Sequence, residues 1–477
     1  MQRVLVIGFL LIGASVVGLL IQTQLFLPDV VVVLTTEGFR PQKIFIKKGQ
    51  AVVFKSDAGK EFWPASDSHP THNLYPEFDP THPIQPDKEW RFVFEKAGVW
   101  TYHDHLSSDM KGTVIVSGAL GESTKECLSR TATSSVKAIC WEGDIIDTLQ
   151  TRGLSAAFDM FKKIYDTEPA FRGLNCHDAG HILGAAAYKK YASEHSAIDR
   201  PEVSYCGYGF YHGFMEAMLL DQGPGQFQKV REYCESLKTN ENLNNAAGAC
   251  YHGIGHATFD SLAGDIWGDD EKMVTEALRI CEHILADDAE RAQCGTGVFN
   301  SLANAYSAHS YRLSFRTVNA LNICRVQKME YKKGCFGEVG IGVIRNKHMD
   351  RNTAIQFINL SGSNAAPTIL LAYASDETKR SAATNLPDIY GLCTSFVSEE
   401  IQEACVRGVI SGIREGGAQP GKEYEAAFRF CALYPDGAHR TTCLVFAIGQ
   451  TQSIASSEDG FKKACLAIGP NTQTLCK

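Results

Sequence analysis

The chain has 477 residues, with 54 acidic against 46 basic side chains and a formal charge of −8. That length exceeds one ordinary hydrophobic core and predicts two or more domains. The acidic balance, with no basic run, excludes the electrostatic footprint of a nucleic-acid binder.

Residues 1–28 carry one early cation, Arg3, and then an apolar run from Val4 to Ile21. Such a run is about long enough to cross a bilayer as a helix. It lacks a clear small-x-small cleavage site, so it reads as an uncleaved membrane anchor in preference to a removed signal peptide, which would leave the protein secreted. With Arg3 cytoplasmic, a single-pass protein of the cell membrane is expected, its bulk outside the cytoplasm.

Residues 29–118 read as all-β. The runs VVVVLTT, KIFIKKG, AVVFKSD, RFVFEKAG, VWTYHDH and GTVIV are short, rich in β-branched and aromatic residues, and punctuated by Gly, Pro and Asp. The stretch GVWTYHDHLSSDMKGTVIV then closes the unit, with FRPQKIFIKKGQAVVFKSD forming its early strands and HNLYP between. On these residues the unit resembles the cupredoxin family, over about a fifth of the chain. The resemblance implies a β-sandwich with a metal site at its tip. In that family the closing stretch reads roughly Y-x-C-x-x-H-x-x-M-x-G. Here Tyr102, Met110 and Gly112 fall in register, but Asp104 stands in the cysteine slot and Ser107 in the histidine slot.

The candidate ligands of this unit are His69, His72, His103, His105, Asp104 and Met110. On a strand, His103 and His105 point to one side and Asp104 to the other. A bend at His103 would instead turn Asp104 inward, and both arrangements stay open. With no cysteine before Cys127, a blue-copper centre is excluded, since it depends on a Cu–thiolate bond. An imidazole-rich site remains, with Met110 as a weak ligand and copper the preferred ion. His82 reads as a loop residue.

The polar residues 119–126 read as a linker, and residues 127–477 as an all-α domain. Segments such as EKMVTEALRICEHIL carry apolar residues at i, i+3, i+4 spacing. All 16 cysteines lie here, most in close couples: Cys127/Cys140, Cys234/Cys250, Cys281/Cys294, Cys324/Cys335, Cys393/Cys405, Cys431/Cys443 and Cys465/Cys476. Cys176 and Cys206 remain, at equivalent points of successive segments. The even count predicts a framework of eight disulfides in an oxidising compartment, and the lack of C-x-x-C knuckles argues against thiolate metal sites. Lines such as CYHGIGHATF, CGTGVFNSLA and CFGEVGIGVI recur with steps of about 44 residues. That period predicts stacked helical hairpins, as an open solenoid or a closed array. Residues between Cys335 and Cys393 form a degenerate repeat without a couple of its own.

Three successive segments place histidine at nearly the same repeat position: His181, His212 and His256. Each belongs to an i, i+4 pair, namely His177 with His181, His212 with Glu216, and His252 with His256, and such pairs share one helix face. Later repeats hold Asn300, Ile341, Ser411 and Gly449 in that slot, so the fold does not require histidine there. These six residues are expected to form a second metal or catalytic site, for copper, zinc or iron. HDAGH also resembles the zincin H-E-x-x-H, with Asp178 for glutamate, which implies a zinc-activated water. The leading expectation is therefore a membrane-tethered extracytoplasmic metal-binding protein. A metal-dependent oxidoreductase or hydrolase acting at the helical cluster, and a scaffold binding a protein partner on the repeat surface, are the alternatives.

Overall fold

The computed structural model describes residues 28–117 apart from 37, 68–71, 73 and 97, and residues 134–468 apart from 192–200, 223–226, 240–245, 263, 309–310, 314 and 316–319, together with residue 475. The expected anchor, the linker and His69 lie outside the described residues. Among the described residues, no helix is long and apolar enough to cross a membrane.

The first unit is a sandwich of eight strands: β1 (Val30–Thr35), β2 (Gly38–Arg40), β3 (Lys43–Lys47), β4 (Ala51–Ser56), β5 (Pro64–Ser66), β6 (Trp90–Val93), β7 (Gly98–Asp104) and β8 (Ser107–Ser117). They form two four-stranded sheets, ordered β2-β1-β4-β6 and β3-β8-β7-β5. Alternating side chains meet between the sheets in a core rich in rings, including Phe39, Phe54, Phe62, Phe78, Phe94 and Tyr102. Tyr102 faces Gly112 across the β7–β8 ladder, and a Cβ at Gly112 would collide with its ring. The tyrosine and glycine of the closing motif are thus one cross-strand packing device.

Two short strands, β2 and β5, were not expected, because three residues carry no readable alternation. β8 also begins earlier than the GTVIV run, so β7 and β8 are joined by His105 and Leu106 alone. Ser107 therefore belongs to a strand, and so does Met110, which packs against the edge of the sandwich core.

The second unit is helical. Its elements are α1 (Ser134–Arg152), α2 (Leu154–Thr167), α3 (Cys176–Tyr191), α4 (Tyr205–Gln222), α5 (Phe227–Ser236), α6 (Ala246–Asp260), α7 (Asp270–Ile284), α8 (Asp288–Ala308), α9 (Asn322–Arg325), α10 (Met329–Asn346), α11 (Arg351–Leu360), α12 (Ala366–Arg380), α13 (Leu386–Thr394), α14 (Glu399–Gly412), α15 (Glu423–Cys431), α16 (Ala438–Thr451) and α17 (Glu458–Leu466). Helices α3, α4, α6, α8, α10, α12, α14 and α16 pack each against the next. α1 lies against β7 and β8, and Ile115 of β8 enters the helical core.

Disulfides tie the hairpins as the spacing predicts. Cys234–Cys250, Cys281–Cys294, Cys324–Cys335, Cys393–Cys405 and Cys431–Cys443 join consecutive helices, with Cα separations of 5.3–6.0 Å. Cys176–Cys206 joins the starts of α3 and α4, Cα atoms 5.7 Å apart. Cys140 and Cys465 are also bridged, and among the described residues no cysteine is free. The degenerate repeat is a hairpin of α11 and α12 without a bridge.

Of the two expected arrangements, the array is the closed one. A π-helical turn, Phe171–Asn175, precedes α3 and packs against α12 and against a second π-helical turn, Ile413–Gly417, which also touches α4. Gly173 makes this approach, since a Cβ there would collide with the Lys379 carbonyl.

Candidate metal centres

The sandwich tip is built by β5 and β7. Pro64 and Ala65 pair with Asp104 and His103, which sets the flanks of β5 beside the histidines. The Trp63 ring lies over His105, centroids 4.3 Å apart. On the far side, His72 adopts a left-handed conformation (φ 47°) and its carbonyl lies 3.0 Å from the Ser66 hydroxyl. A strained backbone at a ligand-bearing loop is what a pre-shaped site requires.

Three imidazoles converge here. One ring nitrogen from each of His72, His103 and His105 lies within 4.8 Å of the others, and His105 Nδ1 is 2.9 Å from His72 Nε2. His72 and His103 are buried and His105 is half-buried. Each buried ring is held from behind by a carboxylate: His72 Nδ1 is 2.6 Å from Asp79 Oδ2, and His103 Nδ1 is 2.8 Å from Asp67 Oδ1. Asp79 also accepts from Trp63 Nε1 at 2.8 Å and from the Thr81 amide at 2.7 Å. Burial works to raise both carboxyls, but the bonds from His72, Trp63 and Thr81, and those from His103 and Thr101, hold them below the usual range. Ionised acceptors keep the Nδ1 protons in place and leave Nε2 of each ring with its lone pair, the arrangement metal-binding histidines use.

Asp104 does not join this triad. Its Oδ1 accepts from the amides of Trp63 (2.8 Å) and Leu106 (3.4 Å), and its fully buried carboxyl is raised by that burial. Through Oδ1 it fastens the β7–β8 turn to β5, while its Oδ2 is buried without a hydrogen-bond partner. Met110, on β8, packs against the sandwich edge. Asp67, Asp79 and Trp63 escaped the sequence reading, because loop closure brings them to the histidines and no motif spacing marks them.

The second centre lies on α3, α4 and α6. His177 and His181 come from α3, His212 and Glu216 from α4, and His252 and His256 from α6. Glycines set the approach: a Cβ at Gly209 or Gly213 of α4 would collide with the His177 or His181 carbonyl. The Cys176–Cys206 bridge fixes the level of α3 against α4 at the same end. All five rings meet. His212 lies 5.2 Å from both His177 and His181, and 4.6 and 5.8 Å from His252 and His256, measured between centroids. Within each i, i+4 pair the Nε2 atoms are 3.2 Å (His177, His181) and 3.0 Å (His252, His256) apart.

The outer nitrogens are anchored. His177 Nδ1 donates to the Cys206 carbonyl at 2.6 Å, and His256 Nδ1 is 2.8 Å from the Ser301 hydroxyl. Both nitrogens of His212 are buried without a hydrogen-bond partner. Glu216 Oε2 is 3.8 Å from His181 Nδ1, at the border of the ring cluster. Burial, then the neighbouring rings, drives His212 and His252 well below the ordinary histidine range. Burial and then His181 bring His256 to about 3. His212, His252 and His256 are therefore neutral at pH 7, with lone pairs available. Asp178 is exposed on α3 and is not among the grouped ligand atoms. In the later repeats the slot residue Asn300 donates to Glu338 at 2.7 Å, so the polar line continues without imidazole.

No family model matches the chain, and neither does any curated protein. Among solved structures the chain is weakly similar to a purple cupredoxin from Nitrosopumilus maritimus, at 19% identity over 18% of this chain and 99% of that one, with a TM-score of 0.17. An amicyanin variant in its reduced state matches at 18% identity over 18% of this chain and 81% of its own, with a TM-score of 0.17. A multicopper oxidase matches at 14% identity over 21% of this chain and 42% of its own, with a TM-score of 0.16. The neighbours are cupredoxins, and the helical array is unmatched.

Proposed function

We propose that the protein is a membrane-tethered extracytoplasmic metal-binding protein that takes copper, or a similar borderline cation, on imidazole alone. The observation that carries this reading is the sandwich tip. Three imidazole nitrogens lie within 4.8 Å of one another, and two of the rings are held at Nδ1 by ionised carboxylates, the tautomer in which Nε2 carries the lone pair. Imidazole suits copper and zinc, and the absence of thiolate from the described ligand sets fits an ion held without an intense charge-transfer band. The helical cluster offers a second imidazole set, so one chain could capture an ion at one unit and store or pass it at the other. Oxidised cysteines support an oxidising compartment, and the apolar run from Val4 to Ile21 supports a tether.

A second reading, a metalloenzyme at the helical cluster, is favoured by one observation. His177 is solvent-exposed while His212 and His256 are buried, so solvent meets one rim of the cluster, where Glu216 could take a proton from an ion-bound water.

The test is metal content with electron paramagnetic resonance (EPR) on the full chain, in wild type and in variants His105→Ala and His181→Ala. Loss of one class of ion in each variant is expected. Wild-type protein that retains no copper or zinc after dialysis overturns the reading.

A further inference from the structure

We infer that the helical cluster is a dinuclear centre in which His212 is shared between two divalent cations, one held with His177 and His181, the other with His252 and His256. This inference rests on the metal-binding reading above and deepens it.

The rings fall into two i, i+4 pairs, with His212 within 4.6–5.8 Å of all four members and His181 also 5.4 Å from His256. Each pair sits one turn apart on a single helix with its Nε2 atoms about as close as two ligands of one ion, at 3.2 Å on α3 and 3.0 Å on α6. Each pair, taken with His212, brings its ligand atoms within 4.8 Å. α4 lies between α3 and α6, so His212 meets one pair on either side.

The decisive contrast is in how the nitrogens are used. His177 and His256 each have Nδ1 engaged outward, on the Cys206 carbonyl and the Ser301 hydroxyl. That leaves each with a single inward nitrogen, as a terminal ligand requires. His212 has neither nitrogen engaged, and both are buried. A neutral imidazole has one donor and one acceptor, and burying both unpaired is costly. Two cations, one on each edge of the ring, satisfy both nitrogens at once. One ion satisfies only one.

Protons and charge balance as follows. The first ion takes the lone pair of neutral His212. The second displaces the remaining N–H proton to solvent, leaving a bridging imidazolate of charge −1, and no oxidant or reductant is needed. Glu216, 3.8 Å from His181 Nδ1, supplies a further negative charge at the border of the first triad. His177 is exposed, so solvent reaches the first triad.

The test uses the full chain carrying His105→Ala, which removes the sandwich site from the count, loaded with Cu(II) and dialysed. Two coppers per chain are expected, with an EPR intensity far below the copper count because spins bridged by one imidazolate couple. His212→Gln, with its disulfides and far-UV circular dichroism unchanged, should restore full intensity per copper or lower the count to one. Two coppers with full, uncoupled intensity in the His105→Ala chain, or one copper, would overturn the bridge while leaving the metal-binding reading intact. No copper would overturn both. Since the coupling is read in a chain with all five cluster histidines, a His212 variant that fails to fold leaves the inference open to refutation.

Discussion

Replacing Asp79 by asparagine isolates how the sandwich holds its ion. The substitution keeps size and removes one oxygen acceptor. Asp79 Oδ1 serves two donors, Trp63 Nε1 at 2.8 Å and the Thr81 amide at 2.7 Å, while Oδ2 serves His72 Nδ1 at 2.6 Å. An asparagine carbonyl placed at Oδ1 keeps the first two bonds and turns its NH2 toward His72. His72 must then accept at Nδ1 and carry its proton on Nε2, the atom 2.9 Å from His105 Nδ1 and the one an ion needs. The flipped amide spares His72 but leaves two donors facing an NH2 group. Either arrangement costs a hydrogen bond to a charged acceptor. Outer-partner losses of this kind weaken metal binding about 10–100-fold, or about 1.4–2.8 kcal/mol. Competition with a chromophoric chelator at pH 7 measures it, the helical ions serving as an internal standard because their ligands do not touch Asp79. Asp87→Asn, an exposed carboxylate beside Lys88, is the control and should leave affinity unchanged. An Asp79→Asn affinity within twofold of wild type would refute the carboxylate-fixed tautomer.

Other measurements bear on the helical array. His256 is buried and sits near 3 against an ordinary 6.5, so only the unfolded chain takes up its proton between those values. Its contribution is whole above about pH 6.5 and is lost as the pH falls toward 3. From pH 7 to pH 5 this one ring costs the metal-free array about 2 kcal/mol, and His212 and His252 act in the same direction. Denaturant titration at the two pH values checks it, and equal stability would contradict the burial of the cluster. Reduction should remove about 2–4 kcal/mol per bridge, melting the helices while the cysteine-free sandwich keeps its circular dichroism. Gly213→Val drives a side chain into the His181 carbonyl, so the helical ions should be lost while the sandwich ion stays, as counted by metal analysis.

Periodicity made most of this architecture legible. β1, β3, β4, β6 and β7 appear where alternation marks them, and six described bridges fall at the cysteine spacings. The helical histidines were legible because a repeat aligns equivalent positions and i, i+4 spacing puts both ligands on one face. Other features depend on non-local geometry. Asp67 and Asp79 reach His103 and His72 from loops 36 and 7 residues away, with no spacing rule to announce them. Asp104 and Met110 entered through motif register, and strand pairing adds what the register lacks: the short turn at His105–Leu106 puts Met110 in β8 and sets Asp104 Oδ1 against two backbone amides. Closure of the array was likewise undecidable until Gly173 met Lys379.

The two centres solve one physical problem twice. Among the described residues every cysteine is committed to a bridge, so no thiolate is left to neutralise a cation, and neutral imidazoles supply lone pairs without charge. Negative charge must then sit one atom behind the rings. At the sandwich it does so as Asp67 and Asp79, which act on the ion through the imidazoles they orient. In the helices the outer partners of His177 and His256 are a carbonyl and a hydroxyl, both uncharged, and Glu216 is the one carboxylate in contact with the rings among the described residues. A cluster of imidazoles with so little nearby charge favours two cations only if a ring itself becomes the anion. His212 is the ring with both nitrogens free to do so, and the copper count with its spin coupling bears directly on it.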